Sequence, residues 1–283
     1  MTTRTRAAET AFMRTVKTYF AEHRRSFPWR TTTDPYHILV SEIMLQQTQT
    51  DRVVPKYTAF LKKFPTAKVL ADAPFKEVLT EWKGLGYNRR AKFLQAAVTA
   101  VTRSPAGTFP STFTELTALP GIGPYTAGAL MAFAFNLPHP VIETNIRTVY
   151  IHHFFPRAKK VPDAQLLPLI ERTLDTTHPR EWYAALMDYG AMLKKTHTNP
   201  SRRSTHHVKQ TAFKGSDRYI RGKILTLLLT KPHTTATLVS LLSTDGAERT
   251  GQKIDRKRIT GILAALKKEH IITHTRQLWQ IAD

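Results

Sequence analysis

The chain has 283 residues, 41% of them hydrophobic, which is enough to build the core of one large or two modest domains. Its 42 Lys and Arg residues against 21 Asp and Glu give a net charge of +21, an excess that indicates a polyanionic partner. The absence of cysteine excludes disulfides, thiolate nucleophiles and cysteine-ligated iron–sulfur centres. Without an apolar signal core or a bilayer-length apolar run, the chain is expected to be cytoplasmic and nucleoid-associated, with no membrane contact.

Helical periodicity dominates the chain as far as residue 193. Phe12, Val16 and Phe20 share one face of a first predicted helix, and Asp34-Pro35 supplies a cap and a first-turn proline for a second. Further amphipathic helices are predicted at residues 53–64, 75–83, 89–102, 113–118, 146–154, 163–176 and 180–193. The fold class is therefore predicted to be mainly α.

The composition changes at residues 194–216, which are polar, basic and poor in aliphatic side chains. We interpret this stretch as a linker or an extended contact to a phosphate backbone. Helices are predicted beyond it at about 217–230, 235–243 and 254–269, followed by a small β-hairpin at 271–281. Three helices plus a hairpin, with Arg256 and Arg258 on the third helix, resemble a winged helix-turn-helix that binds the DNA major groove. A protein-docking module of the same fold is the alternative.

Residues 119–130, LPGIGPYTAGAL, predict a tight turn between two helices. Gly121 and Gly123 allow positive φ or close approach of another backbone, and Pro124 suits the first turn of a helix. Free N–H groups and the positive end of the helix dipole make such a helix start a phosphate-binding site. The alternative is an ordinary glycine turn in a helical protein.

Two glutamates are candidates for acid–base chemistry. Glu42 lies among almost exclusively apolar neighbours, which favour its protonated form and a role as general acid. Glu143 lies at or just before a helix start, where Thr144 or Asn145 is expected to cap and the dipole favours the carboxylate. Carboxyl groups shifted in opposite directions suit cleavage of a glycosidic bond. For Glu42 the alternative is a solvated glutamate on an amphipathic helix.

Three further stretches carry groups suited to nucleic acid. Amide side chains at Gln46, Gln47 and Gln49 match base edges and the gap left by an extruded nucleotide. A second glycine turn, GLGYNRR at 84–90, offers an aromatic wedge followed by an amide and two cations for phosphates. Trp29-Arg30 offers a stacking face and a hydrogen-bonding fork. The alternatives are a polar helix end, a loop before a basic helix, and a core tryptophan.

The motifs WR, DPYHILVSEIMLQQTQ, GLGYNRRAKFL, LPGIGPYTAGAL and ALMDYGAML occur in order over about residues 25–195. In this combination the chain resembles the helix-hairpin-helix DNA glycosylases (HhH-GPD), and among them the MutY-like adenine glycosylases. The resemblance implies two helical subdomains flanking a cleft. It also implies roles for individual residues: catalysis by Glu42, Glu143, Tyr125 and Asn145; a base pocket lined by Trp29, Arg30 and Asp188; and DNA contacts from Gln46, Gln47, Gln49, Tyr87, Asn88, Arg89, Gly121, Gly123, Arg202, Arg203, Arg256 and Arg258.

Three departures from the family pattern accompany this resemblance. Glu143 stands where the family has a catalytic aspartate, so its carboxylate is displaced by roughly 1.5 Å, about one bond length. Lys194, Lys195, His197, Arg202 and Arg203 follow ALMDYGAML where relatives place cluster cysteines. A winged-helix-like module replaces the usual Nudix-like domain at the C-terminus.

The predicted domains are a glycosylase domain at 1–195, a basic linker at 196–216 and a winged-helix-like module at 217–283. Within the first, a helical barrel covers about 27–136, and a second subdomain combines 1–26 with 137–195. No metal site is predicted, because His197, His206 and His207 lack a fourth ligand. A structural alkali cation at the hairpin is left open, and no other cofactor is expected.

The predicted function is that of a monofunctional DNA glycosylase of base excision repair, acting as a monomer on duplex DNA with a mismatched or damaged base. The expected substrate is adenine opposite 8-oxoguanine or G. Tyr125 occupies the position of a Schiff-base lysine in endonuclease III-like relatives, which implies little AP-lyase activity. The alternatives are a thymine or uracil mismatch glycosylase, a bifunctional lyase, and a DNA-binding protein without catalysis.

Overall fold

A computed structural model of the protein describes residues 3–209, 212–213, 215–250 and 254–282; for residues 3–5 and 245–250 it describes the backbone alone. The described chain is mainly helical and forms two compact units. One unit comprises Met1–Glu42 and Phe109–Lys209, and the other comprises Ile43–Thr108 and Gln210–Asp283. The predicted domain boundaries stay predictions.

The helices up to residue 133 are α1 (Thr3–His23), α2 (Pro35–Leu45), α3 (Thr50–Lys63), α4 (Ala67–Asp72), α5 (Phe75–Trp82), α6 (Arg89–Thr102), α7 (Phe113–Ala118) and α8 (Pro124–Phe133). They are followed by α9 (Thr144–Phe154), α10 (Asp163–Thr173), α11 (Pro179–Thr196), α12 (Asp217–Thr230), β1 (His233–Thr234), α13 (Thr235–Thr250), α14 (Arg256–Lys268), β2 (Ile272–Thr275) and β3 (Leu278–Ile281). Short 3₁₀ turns lie at Pro28–Arg30 and Pro200–Arg203.

The core of the first unit forms where α9 and α11 pack together with α1. Phe12 and Val16 of α1 are buried against Tyr150 of α9 and Trp182 of α11, as the predicted apolar face of α1 requires. The ring centroids of Phe12 and Trp182 are 6.0 Å apart in an edge-to-face arrangement. This core holds the start of α9 against the middle of α11.

The second unit combines α3–α6 with the C-terminal elements. Trp82 and Phe60 are fully buried, and the side chain of Gln95 on α6 donates to the carbonyls of Leu70 and Ala73 at the end of α4. Thr66 caps α4 by accepting from Val69 N. Helix α4 has no counterpart among the predicted helices.

The C-terminal elements follow the order α12, β1, α13, α14, β2 and β3, and their strands form an antiparallel sheet in the order β1-β3-β2. The predicted hairpin is confirmed: Ile272 pairs with Ile281, and Arg276 and Gln277 form the turn with positive φ. The two-residue strand β1 was not predicted, because alternation needs a longer run. The winged-helix interpretation stays a prediction.

Residues 196–205 of the predicted linker belong to the first unit. Val161 and Ser204 form an isolated parallel β-bridge, in which Val161 N donates to Arg203 O at 2.8 Å and Thr205 N donates to Val161 O at 3.1 Å. Residues 210, 211 and 214 of the same predicted linker lie outside the described residues. Across the part of the chain that the structure describes, no helix is both long and apolar enough to cross a membrane.

Candidate active site

In the hairpin between α7 and α8, Gly121 has the conformation that the sequence predicts, whereas Gly123 shows neither positive φ nor close approach of another backbone. Gly121 has φ of +73°, a conformation that favours glycine, while Ile122 is buried beneath the turn. Gly123 has an ordinary negative φ and caps α8, and a Cβ built on it meets no atom within 4 Å. The turn therefore leaves open space in front of the first N–H groups of α8, as a phosphate site requires.

Glu42 is a buried acid on α2. Its exposed fraction is only 5%, and its Oε2 accepts a hydrogen bond from the Tyr125 hydroxyl at 2.6 Å. Burial raises the pKa of Glu42 from 4.5 to about 7; the Tyr125 bond opposes this rise, and the Glu143 charge adds to it. Glu42 therefore keeps its proton up to about pH 7, as the sequence predicted.

Glu143 caps its own helix. Its Oε1 accepts from Asn145 N at 2.6 Å and Ile146 N at 3.0 Å, and its Oε2 accepts from Asn145 Nδ2 at 3.3 Å. The expectation that Thr144 or Asn145 would cap α9 was wrong. The longer glutamate side chain folds back and supplies the cap itself.

The pKa of Glu143 also departs from the sequence-based expectation. Burial raises this pKa and outweighs the opposing effects of Lys194, the two backbone N–H groups and the Asn145 amide. Both carboxyl groups are therefore shifted upward, not in opposite directions as predicted. They still differ in kind, because Glu143 has a cation and three donors that favour its carboxylate, whereas Glu42 has one neutral hydroxyl donor.

Tyr125 connects the two acids. Burial raises its pKa well above 10, and the charges of Glu42 and Glu143 raise it further, so the hydroxyl stays protonated and remains a donor. The charges of both carboxyl groups act on Tyr125, and the charge of Glu143 acts on Glu42. This arrangement can protonate one group and stabilise positive charge on another.

Asn145 and Gly190 complete this region. Asn145 Oδ1 is buried and has no hydrogen-bond partner within the protein, so it is an acceptor available to a bound molecule. Gly190 of α11 lies against the backbone of Asn145: an added Cβ would be 2.5 Å from Asn145 O. Gly190 lies in the ALMDYGAML motif, but the sequence analysis predicted no role for it. A glycine inside a predicted helix was the sequence signal that could have indicated this close approach.

Asp188 is buried at 1% exposure and fully engaged. Arg30 contacts both carboxylate oxygens at 2.7 Å, and Arg25 donates from its backbone N and from Nε. Burial alone would raise the pKa of Asp188, but Arg30 and Arg25 outweigh it and hold the pKa below its usual range. Both terminal nitrogens of Arg30 donate within the protein, so the pair fastens residues 25–30 to α11.

Trp29 stacks on Phe27 with ring centroids 5.0 Å apart. The proposed pocket roles of Trp29, Arg30 and Asp188 stay predictions.

In the second unit, Arg90 joins the two predicted DNA-contacting turns. Its terminal nitrogens donate to Thr48 Oγ1 and to the carbonyl oxygens of Ile43, Met44, Gln46, Leu85 and Gly86, at distances of 2.6–3.2 Å. The interpretation of Arg90 as a phosphate clamp was wrong, because these backbone carbonyls occupy its guanidinium. Gln47 and Tyr87 have positive φ at the tips of the two turns, and Arg89 is exposed beside them.

The other predicted DNA contacts divide by exposure. Gln47, Gln49, Arg202 and Arg256 are exposed, whereas Gln46 and Asn88 are partly buried. Arg203 donates to the carbonyls of Phe155, Pro156, Ala158 and Ile151 at the end of α9. Arg258 donates to Asp217 Oδ1 at 2.7 Å and to Gly215 O at 2.8 Å. The contacts of Arg203 and Arg258 are structural, and all of these DNA-binding roles stay predictions.

No cysteine is available to ligate an iron–sulfur cluster, so this chain does not fit that cofactor. Among the described residues, no group of three or more His, Asp or Glu side chains is arranged to hold a metal ion.

The fold agrees with comparisons to known proteins. The family model of the HhH-GPD superfamily base excision DNA repair proteins matches residues 40–168. The chain belongs to this superfamily, which confirms the resemblance drawn from its motifs.

Among its relatives are proteins named adenine DNA glycosylase. The one from Mycolicibacterium smegmatis is 33% identical over 267 residues, covering 87% of this chain and 90% of that protein. The one from Buchnera aphidicola subsp. Baizongia pistaciae is 37% identical over 171 residues, but these cover 60% of this chain and about half (49%) of that protein. Among solved structures, a thermostable thymine-DNA glycosylase is 28% identical with a TM-score of 0.64, over 69% of this chain and 92% of that one.

Proposed function

We propose that this protein is a base excision repair DNA glycosylase that hydrolyses the N-glycosidic bond of adenine in duplex DNA. The observation that carries the proposal is the hydrogen bond from Tyr125 to a buried Glu42 whose pKa is about 7, in one site with Glu143. The adenine DNA glycosylases at 33–37% identity support the choice of base.

The reaction starts with a base extruded from the duplex. Glu42 donates its proton to a ring nitrogen of adenine, and the glycosidic bond breaks with its electron pair leaving on the base. The deoxyribose becomes an oxocarbenium-like cation, which the Glu143 carboxylate stabilises. A water molecule positioned at Asn145 Oδ1 then gives up a proton to Glu42 and adds to the sugar carbon. Glu42 is thereby restored for the next turnover.

The proposed enzyme is monofunctional. A bifunctional lyase of this superfamily forms a Schiff base through an amine. At the hairpin position where such an enzyme has a lysine, this chain has Tyr125, whose hydroxyl donates to Glu42. Cleavage of the DNA strand then requires alkali after the base is removed.

The proposed substrate is double-stranded DNA with adenine opposite 8-oxoguanine or G. The exposed Gln47 and Gln49, with Tyr87 at its turn, would contact the duplex around the extruded base, and the C-terminal elements would add a winged-helix-like DNA-binding module. The excess positive charge supports a DNA partner. The protein would act as a monomer in the cytoplasm with the nucleoid, without an iron–sulfur cluster or other cofactor.

A panel of duplexes tests this proposal, each with A, T or U at one position opposite 8-oxoguanine or G. Wild-type protein is expected to give alkali-dependent cleavage at A. Glu42→Gln is expected to bind the same duplex and give no product. Glu22→Gln, which changes an exposed glutamate on α1, is the matched control and is expected to retain wild-type activity. Cleavage without alkali, or product formed by Glu42→Gln at the wild-type rate, contradicts the proposal.

A thymine or uracil mismatch glycosylase is the second candidate. The thymine-DNA glycosylase structure at 28% identity favours it, as does the tyrosine in the hairpin. Excision of T or U opposite G, with A left intact, in the same panel supports this candidate instead. Binding without any excision, unaffected by Glu42→Gln, supports a DNA-binding protein without catalysis.

A further inference from the structure

The turn of residues 84–88 presents Tyr87 in a constrained conformation. Tyr87 has φ of +48°, which a tyrosine rarely adopts, between Gly86 with φ of +71° and the start of α6. Trp82 Nε1 donates to Gly86 O at 3.2 Å, and Arg90 donates to Gly86 O at 3.1 Å. The backbone of this turn is therefore held from two sides while the Tyr87 side chain projects from it.

The Tyr87 side chain contacts the C-terminal part of the chain, although 131 residues separate the two partners. Arg218 on α12 donates from Nη1 to the Tyr87 hydroxyl at 2.8 Å, and its guanidinium carbon lies 5.5 Å from the centroid of the Tyr87 ring. Arg90 lies at the same 5.5 Å distance from that centroid. Two arginines therefore contact one partly exposed tyrosine, and one of them comes from the C-terminal elements.

The contact continues from α12 to the start of α14. Arg258 of α14 donates to Asp217, the neighbour of Arg218, at 2.7 Å, and to Gly215 O at 2.8 Å. The exposed Arg256 lies two residues before Arg258, at the first residue of α14. Side-chain contacts thus connect the turn of residues 84–88 with the first residues of α12, and the first residues of α12 with those of α14, within the second unit.

We infer that Arg218 is a positioning residue that orients Tyr87 for insertion beside the base opposite the target, so that the C-terminal elements set opposite-base discrimination. The inference rests on the proposed DNA glycosylase function. Arg218 limits the orientations of the Tyr87 ring through its hydroxyl, and it places a positive charge beside that ring. Discrimination between opposite bases then depends on a residue outside the catalytic part of the chain.

The test compares single-turnover excision of A opposite 8-oxoguanine with excision of A opposite C. Arg218→Ala is expected to lower the ratio of the two rate constants about tenfold. Arg218→Lys keeps a donor, so this variant is expected to recover at least half of that loss on a logarithmic scale. The control is Arg221→Ala on the same helix, which removes an ion pair with Glu269 and no contact to Tyr87. Its ratio is expected to match wild type.

Tyr87→Phe removes the hydroxyl that accepts from Arg218 and keeps the ring. If the two residues act as a unit, the double variant with Arg218→Ala loses no more discrimination than the more affected single variant. An unchanged ratio in Arg218→Ala, equal losses in Arg218→Ala and Arg221→Ala, or fully additive losses overturn the inference.

A binding measurement separates this inference from the proposed function. The dissociation constant is measured for a duplex with a tetrahydrofuran abasic analogue opposite 8-oxoguanine and for one with the analogue opposite C, so no excision is needed. Arg218→Ala is expected to reduce the ratio of these constants whichever base the enzyme removes. Wild-type protein that excises no base refutes the proposed function alone, whereas an unchanged binding ratio in Arg218→Ala refutes the inference alone.

Discussion

At the scale of single residues, the site depends on the environment of Glu42. A carboxyl group in water is ionised at neutral pH, and burial against apolar neighbours raises its pKa to about 7. The Tyr125 hydrogen bond works against that shift, because it stabilises the carboxylate. Tyr125 therefore lowers the pKa of Glu42 while it holds the Glu42 side chain in place.

The pH dependence of base excision follows from this balance. Excision requires protonated Glu42 and ionised Glu143, so the single-turnover rate constant is expected to fall as pH rises through about 7 and to fall again at lower pH, where Glu143 takes up a proton. Tyr125→Phe removes a bond that lowers this pKa, so the midpoint of the fall is expected to move to higher pH. A profile between pH 5 and 9 measures this, and an unchanged or lower midpoint in Tyr125→Phe contradicts the assignment.

At the scale of secondary-structure elements, α9 and α11 determine where Glu143 lies. Glu143 caps α9 with its own side chain, and Gly190 lets α11 approach the first turn of α9 closely. At the other end of α9, Arg203 donates to four carbonyls from the 3₁₀ turn at Pro200–Arg203. The two ends of α9 are therefore held by residues far along the chain.

Gly190→Ala tests the close approach. The added Cβ would meet Asn145 O at 2.5 Å, so the first turn of α9 must move and carry the Glu143 carboxylate with it. We expect single-turnover excision to fall by about tenfold or more. Gly222→Ala on α12 is the matched helical control, since its Cβ meets no atom within 4 Å. Equal rates for Gly190→Ala and wild type would show that the approach has no effect on the site.

Arg203→Ala tests the attachment at the C-terminal end of α9. Loss of several charge-assisted hydrogen bonds to partly buried carbonyls is expected to reduce the free energy of unfolding by about 2–3 kcal/mol. Arg202→Ala removes the exposed neighbour and is expected to change that free energy by less than about 0.5 kcal/mol. Urea denaturation measures both, and equal effects of the two substitutions would refute a structural role for Arg203.

At the scale of the whole molecule, the buried acid lowers stability at the pH where it acts. The unfolded chain ionises Glu42 near pH 4.5, whereas the folded protein keeps the proton to about pH 7. Between these values the unfolded state binds fewer protons, so rising pH reduces the stability of the folded state. The site is therefore maintained at the expense of global stability.

Glu42→Gln is expected to relieve this penalty. The difference of about 2.5 between the two pKa values corresponds to about 3 kcal/mol, gained by the variant above pH 7 and largely absent at pH 4. Denaturation of the two proteins at pH 4 and pH 8 gives the comparison. A stability difference between the proteins that does not vary with pH would contradict a raised pKa for Glu42.

Much of this structure could be predicted from the sequence, because its signals are local. Apolar periodicity predicted the long helices. The glycine turn at 119–123 lies in a recognisable motif, and so do the site residues Glu42, Tyr125 and Glu143. The long-range contacts could not be predicted. Arg90 and Arg203 donate to backbone carbonyls, which have no sequence signature, and Arg218 reaches Tyr87 across 131 residues. The sequence shows Glu143 where the family has an aspartate. That the Glu143 side chain folds back and caps α9 depends on side-chain conformation, which the sequence does not show.

The most direct test of the central claim is single-turnover excision by Glu143→Ala and Glu143→Asp on the duplex that wild-type protein cleaves best. The account predicts that Glu143→Ala binds this duplex within about threefold of wild type, while its excision rate constant falls by about 10²-fold or more. Glu143→Asp, which retains a carboxylate, is expected to preserve or raise that rate constant. Excision by Glu143→Ala at the wild-type rate would contradict a role for this charge in stabilising the sugar cation.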